Sequence, residues 1–208
     1  MNIDCVLLAA GSSHRMGKPK MLYPIGGCTL FEHVLGSHVA SSLRCICAVV
    51  PGWLSEFRPV IARCSNERVD FLEMPGPAEM SRSLKAGWSH VTGKHSPDAV
   101  MISLADKALV GPGLIDSVLG AYEASGCEIC VPTFEGRHGH PVVLSAALGE
   151  QVMAIEGDCG ARDIIESAKD AVYEYMVHSD DILLDIDTVQ DLEEIVSRLG
   201  HARSTMGR

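Results

Sequence analysis

Arg15, Lys18 and Lys20 stand in a run of small residues, Ala9-Ala10-Gly11-Ser12-Ser13-His14-Arg15-Met16-Gly17-Lys18-Pro19-Lys20, that follows directly on the apolar stretch Cys5-Val6-Leu7-Leu8. Small residues let a backbone close around a guest and turn its N–H groups inward, and the cations supply charge for a strongly anionic one. A nucleoside triphosphate is the guest this combination suits. The segment is neither of the two better-known phosphate loops. Five residues separate Gly11 from Gly17 and Pro19 follows Lys18, so it is not G-x-x-x-x-G-K-[ST]; Ser13 breaks the G-x-G-x-x-G spacing. A loop of this kind grips phosphates by side chain as well as by main chain.

Carboxylates supply the other half of the chemistry. Asp106 follows the apolar run Val100-Met101-Ile102-Ser103-Leu104, and Asp185 and Asp187 precede Thr188. In an open α/β sheet, ligands bind beyond the carboxyl ends of the strands. If these segments are neighbours, one cleft receives cations from one loop and acids from two. Carboxylates there would hold Mg²⁺ against phosphates, while arginine and lysine would neutralise the departing pyrophosphate. An acceptor that carries its own phosphate removes the need for a protein nucleophile. Asp191, three residues after Thr188, has only a capping role. His140, between Gly139 and Pro141, either touches substrate or makes a structural hydrogen bond.

The whole chain frames these groups. Its 208 residues, 47% hydrophobic, suit a single domain over residues 1–199 followed by a polar, frayed tail over 200–208. A net charge of −10 argues against nucleic-acid binding. No apolar run reaches the roughly 20 residues of a membrane span. The amino-terminal segment reads as a strand, not a leader, and the expected location is cytoplasmic. Of eight cysteines, Cys127 and Cys130 form a lone C-x-x-C, read as reduced and buried, not metal-binding.

Apolar runs predict strands over 6–9, 44–50, 69–73 and 98–104, alternating with helices over 29–40, 53–64 (disturbed by Pro59) and 81–91. This is the pattern of a parallel sheet covered on both faces. Thr29-x-x-Glu32 has capping-box spacing. Extended runs over 127–132 and 141–144 flank a glycine-rich loop and suggest an antiparallel excursion. A helix over 157–168 with Asp158 as N-cap, strands over 171–177 and 182–186, and a helix from Thr188 to residue 199 complete the expectation.

Taken in order, six segments resemble the molybdenum cofactor cytidylyltransferase family, within the molybdopterin nucleotidyltransferases. They are the Leu8–Lys20 loop with Leu22-x-Pro24-Ile25-Gly26-Gly27; Met80-Ser81-Arg82-Ser83-Leu84-x-Ala86-Gly87; Leu104-Ala105-Asp106; Gly136-Arg137-His138-Gly139-His140-Pro141; Gly157-Asp158-x-Gly160-Ala161-Arg162; and Asp185-Ile186-Asp187-Thr188. The resemblance implies a Rossmann-like three-layer α/β nucleotidyltransferase fold. It also implies transfer of CMP from CTP to molybdopterin-bound molybdenum, with pyrophosphate released and the product serving a molybdenum hydroxylase. Carried over by residue, Ala9, Ala10, Gly11, Ser12, Arg15, Lys20, Ser81, Ser83 and Asp106 would bind nucleotide, with Arg15, Lys20 and Asp106 catalytic. Asp106 and Asp187 would bind Mg²⁺, and Arg137, Gly139, His140, Pro141, Asp158 and Arg162 would face the pterin. The family usually continues Leu-Ala-Asp with Gln or Met and then Pro; this chain has Lys107 and Ala108. The alternatives are a GTP-dependent transferase, one using another phosphorylated acceptor, and a non-catalytic cofactor carrier.

Overall fold

The computed structural model describes residues 1–11, 18–77, 79–157 and 160–206, with side chains described as far as residue 200. Strand β1 (Ile3–Leu8) is buried at every position. Its residues alternate between two cores: Cys5 and Leu7 pack on one side of the sheet, Val6 and Leu8 on the other. A continuous apolar run is what a strand covered on both faces requires.

After a 3-10 turn at Lys20–Leu22, the two-residue strands β2 (Pro24–Ile25) and β3 (Cys28–Thr29) pair as a hairpin. Helix α1 (Leu30–Val39) follows, and the expected capping box is present: Glu32 N–H donates to Thr29 Oγ1 at 3.2 Å and Thr29 N–H to Glu32 Oε2 at 2.7 Å. Then come β4 (Ile46–Pro51), α2 (Arg58–Arg63), β5 (Val69–Met74), α3 (Met80–His95) and β6 (Ala99–Leu104). Pro59 sits in the first turn of α2, where its missing N–H has no intrahelical partner to lose. It therefore marks the change from a 3-10 turn at Ser55–Phe57 to α-helix.

The second half adds α4 (Pro112–Ser125), β7 (Ile129–Phe134), β8 (Arg137–His138), β9 (Val142–Ser145), α5 (Gly149–Ala154), α6 (Arg162–Ser167), β10 (Val172–Met176) and α7 (Val189–Met206). The sheet runs β10-β7-β9-β6-β1-β4-β5, with β8 on β7. Within that path β9 alone is antiparallel to its neighbours. Helices α1, α2, α4 and α7 cover one face, and α3, α5 and α6 the other. This is the expected three-layer α/β fold, mostly parallel with an antiparallel insertion. Among the described residues no helix is long and apolar enough to cross a membrane.

Some expectations need correcting. Residues 182–186 are not a strand. A 3-10 turn at Asp180–Ile182 leads into coil, although Ile182 and Ile186 are fully buried. Helices α4 and α5 lie where no helix was expected. The expected helix over 157–168 is shorter, beginning at Arg162 after an Ala161 cap without a side-chain hydrogen bond; Asp158, its expected cap, lies outside the described residues. Helix α7 continues to Met206, past the expected end at residue 199 and through most of the segment read as frayed.

Candidate functional site

Chain reversal around β1 sets the location. From β1 the sheet grows one way through β4 and β5, and α3 then returns the chain to β6 on β1's other side. The carboxyl ends of β1 and β6 are thus neighbours, with Leu8 in register with Leu104. A crevice opens where strand order reverses in this way.

A cavity of about 680 Å³ lies there, lined among others by Ala9, Ala10, Gly11, Lys20, Glu79, Met80, Ser83, Asp106 and Asp187. Three segments far apart in sequence converge on it. The turn at residues 20–22 holds Lys20, with Met21 buried in the core as its anchor. The turn after β6 holds Asp106. Asp187 is set by the cap of α7, where Asp191 Oδ2 accepts from the backbone N–H of Asp187 at 3.0 Å and of Thr188 at 2.7 Å. Lys20 Nζ lies 2.9 Å from Asp106 Oδ2 and 3.2 Å from Asp187 Oδ1. Burial on its own would lower the lysine's pKa. Its charged hydrogen bonds to Asp106, then to Asp187, outweigh that and hold it above the usual value.

Helix α3 can approach this cavity closely because of Gly87. A Cβ there would fall 2.5 Å from Val6 Cγ1 and 2.9 Å from Val49 Cγ2, so only glycine permits the contact. The helix thereby brings Ser83 and Met80 to the cavity wall. Ser81 is buried but does not line it; its N–H donates to the Gly157 carbonyl at 3.4 Å. Ser12 and Arg15 lie outside the described residues.

A second cavity, of about 620 Å³, adjoins the first and shares Met80 and Leu104 with it. Its lining includes Lys107, Arg137, Gly139, His140, Arg162, Glu166 and Asp185. The residues read as pterin-facing therefore gather here, apart from Pro141, which is buried and absent from the lining, and Asp158, outside the described residues. Gly139 lets the β8–β9 connection lie against residue 182, since a Cβ would meet Ile182 at 2.7 Å. Burial, reinforced by the Lys107 charge, lowers the His140 pKa to about 4, so its imidazole is neutral at neutral pH. Its Nδ1 is buried and has no hydrogen-bond partner among the described residues.

Residues 106 and 107 point into different cavities. Lys107 is only 4% exposed, and its Nζ lies 2.9 Å from Asp185 Oδ1. The Asp185-x-Asp187 motif is divided the same way, Asp185 to the second cavity and Asp187 to the first. The sequence singled out Lys107 as unusual without indicating where it points, and Glu79, Met21 and Glu166 carried no signal of their own.

The donor set suits a divalent cation. Two carboxylates meet in the first cavity, and Asp106 Oδ1 is buried without a hydrogen-bond partner among the described residues. Elsewhere Cys127 Sγ and Cys130 Sγ are free thiols donating weakly to the carbonyls of Ser125 and Val118.

The profile of the MobA-like NTP transferase domain family matches residues 5–172. Bifunctional protein GlmU of Bifidobacterium adolescentis is 32% identical over 124 residues, covering 58% of this chain and 27% of that protein. The match thus spans about a quarter of that relative's length. Among solved structures, Rv0371c of Mycobacterium tuberculosis H37Rv is similar at 23% identity, with 95% of this chain and 99% of that one covered and a TM-score of 0.81. It has also been solved with manganese, at 22% identity, TM-score 0.77 and coverage of 95% and 99%. CMP:2-keto-3-deoxy-manno-octonic acid synthetase in complex with CTP has 10% identity, 97% and 100% coverage, and a TM-score of 0.74. At these identities the solved structures establish the fold alone.

Proposed function

Because the chain belongs to the MobA-like NTP transferase domain family and is a nucleotidyltransferase, we propose that it transfers CMP from CTP to a molybdopterin-type cofactor for use by a molybdenum hydroxylase. The observation that carries this reading is the pair of abutting cavities, one lined by Ala9, Ala10, Gly11 and Lys20 of the phosphate loop and one by residues 136–140 and 160–162 of the two later motifs. Nucleotidyl transfer requires two substrates held side by side with their reacting atoms in line. The resemblance of the second cavity's motifs to those of the cytidylyltransferases supports a pterin acceptor over a sugar phosphate. A fold shared with a synthetase bound to CTP is consistent with cytosine as the base.

In this reading the backbone of Ala9, Ala10 and Gly11, with Ser12 and Arg15 beyond, cradles the triphosphate. Ser83 faces the base, while Ser81 is buried outside the first cavity's lining. Lys20 exchanges its carboxylate partners for phosphate oxygens and neutralises charge as pyrophosphate departs, as does Arg15. Asp106 and Asp187 hold Mg²⁺, which when bound supplies Lewis-acid charge at the phosphates. A phosphate oxygen of the acceptor attacks the α-phosphorus, and the bond from that phosphorus to the bridging oxygen of pyrophosphate breaks. Arg137, His140 and Arg162 hold the acceptor and orient it for this displacement. Gly139 and Pro141 shape the loop that presents Arg137 and His140; Asp158 lies outside the described residues.

The test is pyrophosphate release from CTP, GTP and ATP, each with and without molybdenum cofactor. Release confined to CTP plus cofactor is the expected result. GTP-dependent release would change the base, and tight cofactor binding without release under any nucleotide would make the protein a carrier.

A further inference from the structure

We propose that Lys107 is the anchor for a phosphate-monoester group on the acceptor, held ready by Asp185 until that group arrives. The inference rests on the reading of the second cavity as the acceptor site. Three features support it. First, Lys107 is a buried cation that lines a cavity large enough for a small molecule. An ammonium withdrawn from water is costly unless paired, and Asp185 Oδ1 at 2.9 Å supplies the pairing. A single carboxylate does not use up its three N–H donors.

Second, the charge of the cavity favours an anion. Lys107, Arg137 and Arg162 line it against Glu166 and Asp185, so cations outnumber carboxylates among the described residues. Asp185 has a half-exposed side chain and can turn to water when an anion displaces it. Lys107 is almost wholly enclosed and cannot. The lysine is therefore the fixed member of the pair and the acid the replaceable one.

Third, Lys107 directly follows Asp106, which lines the nucleotide cavity. Consecutive Cα atoms are about 3.8 Å apart. An anion on Lys107 thus lies in the chamber that shares Met80 and Leu104 with the nucleotide cavity, next to where the acceptor oxygen has to be. His140 Nδ1, buried and without a described partner, offers an acceptor to any N–H or O–H on the same ligand.

The test titrates the full chain, saturated with CTP and Mg²⁺, with phenyl phosphate and separately with inorganic phosphate, by calorimetry. Phenyl phosphate should bind to the wild type, and Lys107→Gln should weaken it about tenfold or more, the size expected for a charge-assisted contact. Asp185→Asn should tighten it about threefold, because the ammonium is no longer shared; a merely structural pair would not produce that rise. CTP affinity should stay within about twofold in both variants. The proposal is overturned if phenyl phosphate fails to bind, if Lys107→Gln binds it as the wild type does, or if Asp185→Asn weakens it. Binding of inorganic phosphate alone would overturn the monoester assignment. Should the wild type fail to bind CTP, the cytidylyl reading falls, while the same series on the nucleotide-free chain still decides the role of Lys107.

Discussion

The two cavities beside residues 106 and 107 are similar in size, about 680 and 620 Å³, and opposite in the balance of their charges. Among the described residues, the first sets Lys20 against Glu79, Asp106 and Asp187, while the second sets Lys107, Arg137 and Arg162 against Glu166 and Asp185. An acidic wall cannot hold a triphosphate by itself; in the proposed reaction Arg15 and a divalent metal would supply the cations between wall and guest. A wall richer in cations can take an anionic guest directly. The proposed reaction thus gives one sheet end two ways to meet phosphate, and each makes its own prediction.

The largest effect should come from the acidic side. Asp106→Ala is expected to cut pyrophosphate release by on the order of 10³-fold while the far-ultraviolet circular dichroism stays native. Near wild-type turnover would remove Asp106 from the metal site and dissolve the contrast between the cavities. On the other side, His140→Ala should raise the acceptor KM about tenfold, the worth of one buried hydrogen bond, and leave the KM for CTP unchanged. Steady-state kinetics with each substrate varied in turn would show it. Equal changes in both values would mean that the cavities act as one.

An effect on stability instead of turnover concerns a histidine away from both. His38 is fully buried, with Nδ1 2.8 Å from the Val34 carbonyl and Nε2 2.8 Å from Ser103 Oγ. Burial lowers its pKa from 6.5 to about 4. Because the folded value is depressed, the stability it contributes is complete above pH 6.5 and is lost as pH falls toward 4. Between pH 7 and pH 5 that is a loss of roughly 2 kcal/mol. Urea unfolding at the two pH values should show at least this slope with or without CTP, and His38→Gln should reduce it by about that amount. A slope that changes with nucleotide would tie acid sensitivity to the first cavity instead.

How far each region could be read from sequence follows from which constraints are local. Strand β1 was legible because complete burial demands an apolar run, and that demand acts within ten positions. The α1 capping box was legible for the same reason. Helix α4 was missed although its ends carry standard signals, proline at the first position and Gly126 with a φ of 66° just past the last. The Gly111-Pro112-Gly113 start breaks the apolar period that would have marked it. Residues 182–186 misled in the other direction: Ile182 and Ile186 are apolar because tertiary packing buries them, against Gly139 and in the α7-side core, and not because a ladder partner exists. Which cavity Asp185, Asp187 and Lys107 would each line was not legible at all. A charge's direction out of a turn depends on neighbours distant in the chain.

The turn after β6 places an acid and a base on adjacent codons and sends them to separate chambers. Inserting or deleting one amino acid ahead of Asp106 would shift both side chains together and put each sign of charge on the wrong side of the partition. Substitutions in this stretch can be compensated singly, but changes of length cannot. Across descendants of this gene, the spacing here should drift far less than the spelling.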